Sequence, residues 1–360
     1  MNYYQLNTQQ DYDEWDTFLQ KCIKGHYAQL STYLKSFTVY GADYKIIVAK
    51  DENNNIIAGI GLVIFGKGPF KLVSLPMGPI VDEKFQHVFQ EILTEGLNYA
   101  KSIKAFLYQV QIPYSLEYTH PYAYTNISLP NDSFQEGFPF KVGSIVNQFF
   151  MLNLEIEIKK DNWEESMLLS FNANTRRDIR KSERNELEVR EARNEKDVQQ
   201  AYALMEENGH TQGYSTRTWK EFSPTILEQI KKGQAVILTV FKNDILLGVH
   251  YGVIAGHSYN YIMGGTRRVE KDYLVGHFLH WNVIKKARLL NLKSYDFTST
   301  GSPGVLKFKT GFRPEKFVFD TPYFYILNPI QYNVFYKLFP ILKNNKKRIS
   351  NIIRFFSKKT

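Results

Sequence analysis

The sequence predicts an α/β protein of the α+β kind, built from two related units side by side, each a mixed sheet flanked by helices. Three observations carry this. First, one pattern occurs twice. It begins with a turn and strand at Asn53–Gly59, runs through an apolar stretch to Leu75-Pro76-Met77-Gly78-Pro79, enters a helix ending near Leu97–Lys101, and finishes in a strand at Ala105–Tyr108. The second copy begins at Asn243–Gly248, passes Tyr261–Gly265 and a helix carrying Lys286-Ala287-Arg288, and ends in Ser294–Phe297. The matching points lie roughly 190 residues apart, far beyond a solenoid period. Second, 360 residues are enough for two domains with a core each. Third, an aromatic share of 15% suits strand-rich sheets.

The elements follow in order. Residues 11–25 carry Trp15, Phe18, Leu19 and Ile23 at helical spacing, and a second helix is expected over 31–37. Residues 45–49 and 56–65 read as strands around the turn cluster Asp51–Asn55. The Gly- and Pro-containing stretch 134–141 reads as a loop into a strand at Gln148–Leu154, and the boundary between units is placed there. A charged helix begins near Asn174, and another ends over Leu204–Gly213. Strands at 235–240 and 245–254 form the second hairpin, 258–263 the next strand and 273–290 a long helix, which Asn291 breaks before the last strand. The expected units are 1–145, joined by a returning 317–360, and 146–316.

The formal net charge of +9 is local. After Asp320 there is no acidic residue, while Lys337, Lys343, Lys346, Lys347, Arg348, Arg354, Lys358 and Lys359 follow, so the preceding residues are close to neutral. Phe, Ile and Leu lie between these cations. Such a segment suits an anionic membrane surface or a polyanion's phosphates, and equally a helix whose apolar side packs on its own unit. Peripheral membrane contact through 332–360 is therefore one expectation. The N-terminal residues show no signal-peptide pattern, and no apolar run reaches a bilayer's thickness. Cys22 is the single cysteine, which excludes internal disulfides and cysteine-rich zinc sites. A bacterial-type cytoplasm is the expected location, at most peripheral at the membrane's inner face.

The order hairpin, strand, helix, strand, loop and last strand is that of the GNAT acyltransferase core, and four segments add a closer likeness. Phe171–Ser182, with Thr175-Arg176 and Ile179-Arg180, resembles the "TR-x-x-I-R" helix of the FemABX family of peptidoglycan-bridge (lipid II) aminoacyltransferases. Tyr295-Asp296-Phe297 followed by Val305–Phe312 resembles that family's late motif, Gln29–Lys35 its early Gln-to-Lys helix, and Pro76–Pro79 its Pro-x-Gly-Pro strand end. Related BioF2-like acetyltransferase domains share much of the second half.

The resemblance implies transfer of an aminoacyl group from aminoacyl-tRNA to an amine of a muropeptide or lipid-linked acceptor, with no metal or organic cofactor. Orientation and charge stabilisation can supply most of such an acceleration. It casts Lys309 as the cation facing the ester's developing oxyanion. Read as a strand, 305–312 would put Lys307 and Lys309 on one face, so a surface lysine is the competing reading. Asp296 ends a buried-looking strand, where a raised pKa would make it a base; the competing reading is a turn cap for Thr298–Gly301. Lys35 matches the family's acceptor-phosphate lysine, against a lysine ending a helix. The family's arginine before a Gly-aromatic pair is missing at His210–Tyr214, so His210 or Arg217 is expected to substitute. Tyr214 and Tyr261 could donate hydroxyl hydrogen bonds or simply pack. Arg176 and Arg180 open a cationic stripe with Arg184 that could track a tRNA or acceptor phosphate backbone, the competing reading being a solvated face neutralised by Asp178, Glu183, Glu186 and Glu188.

Two other classes stay open. An acyl-CoA enzyme needs a glycine-rich loop at a helix N-terminus for the pyrophosphate, and Thr266–Gly276 offers only Gly276, inside the helix. A non-catalytic double-GNAT binding protein is the third.

Overall fold

The computed structural model describes residues 2–114, 123–124, 127–140, 148–158, 162–213, 215–298, 301–319 and 322–344, without the side chains of 341–344. In the first half, β1 (Asn2–Gln5), α1 (Gln9–Lys21) and α2 (Ser31–Lys35) precede the hairpin β2 (Asp43–Lys50) and β3 (Ile56–Phe65). β4 (Leu72–Leu75), β5 (Ile80–Val81), α3 (Phe89–Ser102) and β6 (Leu107–Val110) follow. The chain then supplies β7 (Gln135–Glu136) and β8 (Gln148–Asn153), α4 (Trp163–Ser170), α5 (Ala173–Glu183), β9 (Glu188–Glu191), α6 (Glu195–Thr211) and α7 (Trp219–Lys231). It continues with β10 (Ala235–Lys242), β11 (Ile245–Ala255), β12 (Ser258–Thr266), α8 (Val275–Leu289) and β13 (Ser294–Asp296). It ends with α9 (Pro303–Thr310), β14 (Glu315–Val318), β15 (Tyr323–Ile326) and α10 (Pro329–Asn344).

The strands form two sheets. One runs β1-β2-β3-β4-β6-β15-β7, with β5 against β3; the other runs β9-β10-β11-β12-β13-β8-β14. Read this way the sheets repeat each other. Antiparallel neighbours lead to one parallel pair, β4 with β6 and β12 with β13, bridged by α3 and α8 respectively. A parallel pair needs such a crossover, which is why the helix stands at this point of each copy. The strand beyond the pair differs in origin. In the first sheet it is β15, from late in the chain; in the second it is β8, from before the repeat begins. β14 keeps residues 317 and 318 in the second sheet, so the chain crosses back between Val318 and Tyr323.

Two expectations need correction. The stretch read as a loop over 134–141 contains β7, which pairs with β15. More consequentially, the segment read as a strand around Lys309 is α9. Ser302 precedes it and Pro303 takes its first position, where a missing N–H costs nothing. In a helix, residues two apart point to nearly opposite sides. Lys307 is accordingly exposed and Lys309 buried.

The halves share a core. Trp15, Leu19 and Leu34 of the first half join Ile237, Tyr251 and Val253 of the second in one buried cluster. Polar groups register this contact. Thr32 Oγ1 donates to Gln234 Oε1 at 2.8 Å, and Asp16 accepts from Gln234 Nε2 at 2.8 Å and from the Ser31 hydroxyl at 2.6 Å. Buried Gln29 donates to the carbonyls of Gly61 and Pro76, which ties the early helix motif to the Pro76–Pro79 motif. Its role is to hold the frame.

Candidate active site at the end of the second parallel pair

β13 leaves the sheet between β12 and β8, and its last residue, Asp296, is buried. Its Oδ1 accepts from Thr298 N at 2.8 Å and Phe150 N at 3.3 Å. Oδ2 is buried with no hydrogen-bond partner among the described residues. Burial pushes the carboxyl up to about 7, with the two backbone amides and Lys309 pulling the other way. The turn-cap reading and the raised pKa thus coexist in one side chain.

Lys309 reaches the same place from α9. Its Nζ donates to the carbonyl and the hydroxyl of Thr298, both at 3.1 Å, and lies 5.5 Å from the centroid of Tyr261. Burial lowers it to about 8, and Asp296 opposes that shift. Burial thus moves both groups toward neutrality, the carboxyl from below and the ammonium from above.

α5 explains why α9 is held there. Gly311 ends α9 so close to Thr175 that a Cβ would lie 2.3 Å from Thr175 Oγ1. Asn172 N donates to Gly311 O at 3.0 Å, and Arg313 Nε donates to Asn172 Oδ1 at 2.7 Å. The Thr-Arg motif therefore clamps the lysine helix. Its arginines face outward. Arg180 donates to both oxygens of Glu165 at 2.8 and 2.9 Å, and Arg176 reaches Leu169 O at 3.5 Å.

Behind Lys309 lies a buried row that sequence reasoning missed. His250 Nε2 and Tyr295 OH are 2.8 Å apart, and Tyr295 OH and His280 Nδ1 are 2.7 Å apart. A hydroxyl has one proton, so one imidazole donates to Tyr295 and the other accepts from it. Buried Nδ1 of His250 has no partner among the described residues. The arrangement that leaves no orphan N–H there has His250 Nε2–H donating to Tyr295 and Tyr295 donating to His280. Burial pushes His250 down to about 3 and His280 well below its usual range, with Lys309 adding to both shifts, so both imidazoles are neutral at neutral pH. The signal was a histidine inside an apolar strand, Leu-Leu-Gly-Val-His250, and another inside an apolar helix face; their meeting at Tyr295 depends on tertiary packing.

The other expected residues lie elsewhere. Lys35 and Arg217 each make a contact across the halves. Lys35 ends α2 and pairs with Glu228 at 3.2 Å, and Arg217 Nη1 reaches the carbonyl of the next residue, Ser36, at 3.5 Å. Arg217 also covers the rings of Phe37, Tyr40 and Phe222. His210 is exposed in the last turn of α6, and Tyr214 lies outside the described residues. The approach to α8, Arg267–Tyr273, contains no glycine.

The family model described as the FemAB family matches residues 10–238, well over half the chain. The chain belongs to the FemAB family. A second model, described as an acetyltransferase (GNAT) domain, matches residues 170–310, which include both Asp296 and Lys309. The protein is thus an acyltransferase of the Fem type, a group acting in peptidoglycan-bridge synthesis. Among solved structures it resembles FemX, at a TM-score of 0.75 and 16% identity over 93% of this chain and 100% of that one. It also resembles the C-terminal domain of a putative lysylphosphatidylglycerol synthetase from Agrobacterium fabrum, at a TM-score of 0.54 and 10% identity over 93% and 98%. A conserved protein of unknown function from Bacteroides thetaiotaomicron aligns at 0.52 and 12% over 88% and 97%. At these identities the likeness is one of fold. No curated protein matches the chain.

Proposed function

We propose that this FemAB-family protein moves an aminoacyl group from the ester of an aminoacyl-tRNA to an amine of a peptidoglycan precursor, or of a related lipid-linked envelope acceptor. The observation that supports it most is the buried pair Lys309 and Asp296, on α9 and at the end of β13, each shifted toward neutrality by burial. In this reading the neutral acceptor amine attacks the ester carbonyl through its nitrogen and, as the C–N bond forms, passes one N–H proton to the Asp296 carboxylate. The carbonyl oxygen becomes an oxyanion that the Lys309 ammonium faces. The C–O bond to the ribose then breaks, and the ribose oxygen takes a proton, with Asp296 its source. Thr298 aims the ammonium by accepting two of its hydrogens. A desolvated cation is worth far more to an oxyanion than one in water. No metal or organic cofactor enters these steps. Lys35, at the end of α2, and Arg217, which reaches the carbonyl of the following residue, supply cations for an acceptor's phosphates.

The acyl-CoA alternative draws on the acetyltransferase-domain match, while the glycine-free approach to α8 speaks against a pyrophosphate cradle there. One assay separates them. Purified protein is mixed with muropeptide and either label-charged tRNA or labelled acetyl-CoA. Label moving from tRNA to the muropeptide is expected. Transfer from acetyl-CoA alone overturns the tRNA reading, and no transfer from either overturns the assigned acceptor.

A further inference from the structure

The buried row behind Lys309 has a direction. His250 Nε2 donates to Tyr295 OH across 2.8 Å, and Tyr295 OH donates to His280 Nδ1 across 2.7 Å. A neutral imidazole has one N–H, so His280, accepting at Nδ1, carries its proton on Nε2. An isolated imidazole could hold either tautomer; the row selects one. Each bond polarises the next in the same sense, which strengthens the donor at the far end.

That far end opens outward. His280 Nε2 makes no hydrogen bond among the described residues, yet it is not enclosed, and the residue keeps 9% of its surface open. The packing around it says where. His250, Tyr295, Phe297 and Phe312, with ring centroids 5.3 to 6.0 Å away, are all fully buried. Its other two neighbours on the strands and α9 are only half-buried: Tyr261 on β12 at 5.8 Å and Phe308 on α9 at 5.2 Å. Tyr261 is also the ring 5.5 Å from Lys309 Nζ, and Phe308 is the residue before Lys309. The imidazole N–H and the ammonium therefore open beside the same ring.

We propose that His280 is a further catalytic residue, its Nε2–H donating to the acyl carbonyl oxygen beside the Lys309 ammonium. As the C–N bond to the acceptor forms, the carbonyl's electron pair moves onto oxygen, and both donors meet the oxyanion. As the bond to the leaving group breaks, the pair returns to carbon, and His280 keeps its proton throughout. The groups facing it are His250, Tyr261, Tyr295, Lys309 and, from its own helix, His277. None is acidic at neutral pH, and burial with the nearby cation holds the imidazole neutral. A neutral imidazole locked in one tautomer is a competent electrophile for a carbonyl. This assignment rests on the acyl-transfer reading above, but not on the choice between a tRNA ester and a CoA thioester, since both present the same carbonyl.

Two substitutions separate the ends of the ring. Asn places its amide oxygen at the position of Nδ1, keeping a partner for Tyr295 and losing the outward donor. Gln places an N–H at the position of Nε2, keeping the donor and losing the partner. Transfer to muropeptide is measured well below the melting temperatures, with the labelled donor, charged tRNA or acetyl-CoA, that the wild type uses. His280→Asn should lower kcat about 10² with little change in KM for the donor, because the bond strengthens in the transition state. His280→Gln should stay within about tenfold of wild type. Wild-type transfer by His280→Asn, or equal losses in the two variants, overturns the assignment and leaves the acyl-transfer reading standing. Absence of transfer by the wild type from either donor removes that reading and this assignment with it. A second measurement needs no substrate. Long-range ¹H–¹⁵N spectra of histidine-labelled full chain should show His280 as the Nε2–H tautomer, unchanged from about pH 5.5 to about 8.5. A proton on Nδ1, or titration in that range, overturns the assignment.

Discussion

The two halves place different chemistry on the same frame. In the first, Tyr108 on β6 pairs with Val73 on β4; in the second, Tyr295 on β13 pairs with Tyr259 on β12. One residue further, Gln109 faces Ser74 where Asp296 faces Asn260. Gln109 donates to Phe140 O at 3.2 Å and stays neutral at any pH, whereas Asp296 has an ionisable oxygen with no partner among the described residues. Tyr108 points its hydroxyl at Gly96, so tightly that a Cβ there would lie 2.4 Å from the oxygen. Tyr295 points its hydroxyl at two histidines. Each half supplies one parallel pair at the same point of its sheet. At the matching position the second carries a carboxylate where the first has an amide, and α9 delivers a lysine to it. The first half supplies the other side of the shared core and, in the proposed reading, Lys35.

The largest expected effect comes from removing what the first half lacks altogether. Lys309→Met should lower transfer by about 10²–10³, the loss of a cation facing an oxyanion. Lys307→Met should leave it unchanged, because α9 turns that side chain to solvent. Equal activity in the two variants would remove Lys309 from the mechanism and level the difference between the halves.

Converting Asp296 to its first-half counterpart in kind is the next test. Asp296→Asn should lower transfer by about 10². Wild-type transfer should rise with pH through about 7, as Asp296 ionises, and fall through about 8, as Lys309 loses its proton. The variant should lose the lower limb. Stability provides an independent reading. The folded carboxyl binds its proton more tightly than the ordinary unfolded one near 3.9, so between those values the native state holds more protons. Its contribution is fully present below about pH 4 and is lost as pH rises through about 7. Urea titrations across that range should show a decline in the wild type that is flatter in Asp296→Asn; identical slopes would contradict a buried, raised carboxyl.

Much of the frame was legible because local signals agree with it. The turns at Asp51–Asn55 and Asn243-Asp244 flank apolar runs, and each opens a hairpin. The helices before the last strand of each copy follow from the need to cross over between parallel strands. Asp296 was legible through its place at a strand end. The region around Lys309 was misread because Val-Leu-Lys-Phe-Lys, with branched and aromatic residues alternating, fits a strand locally, while Ser302-Pro303 before it and Gly311 after it make a helix. Gly311 is required by contact with Thr175, from a segment far away in sequence, which no local pattern reports. The His250–Tyr295–His280 row was illegible for the same reason: each member reads as core, and only their convergence makes a polar site.

The smallest effect, in stability rather than rate, separates the two tyrosines. Tyr295→Phe removes the hydroxyl that joins His250 to His280, leaving a buried N–H on one side and a bare ring nitrogen on the other. Leaving a buried polar group unpaired costs about 1–3 kcal/mol, so the variant should lose roughly that amount in urea unfolding. Tyr108 is equally buried, but its hydroxyl already lacks a partner among the described residues. Tyr108→Phe removes an unsatisfied group and eases the crowding at Gly96, so it should be neutral or stabilising by up to about 1 kcal/mol. Opposite signs for the same atom change at matching positions would show that the second half stabilises its polar site by internal pairing, whereas the first tolerates an orphan. Equal losses in both variants would mean that packing of the ring, and not the histidines, sets the value of the hydroxyl.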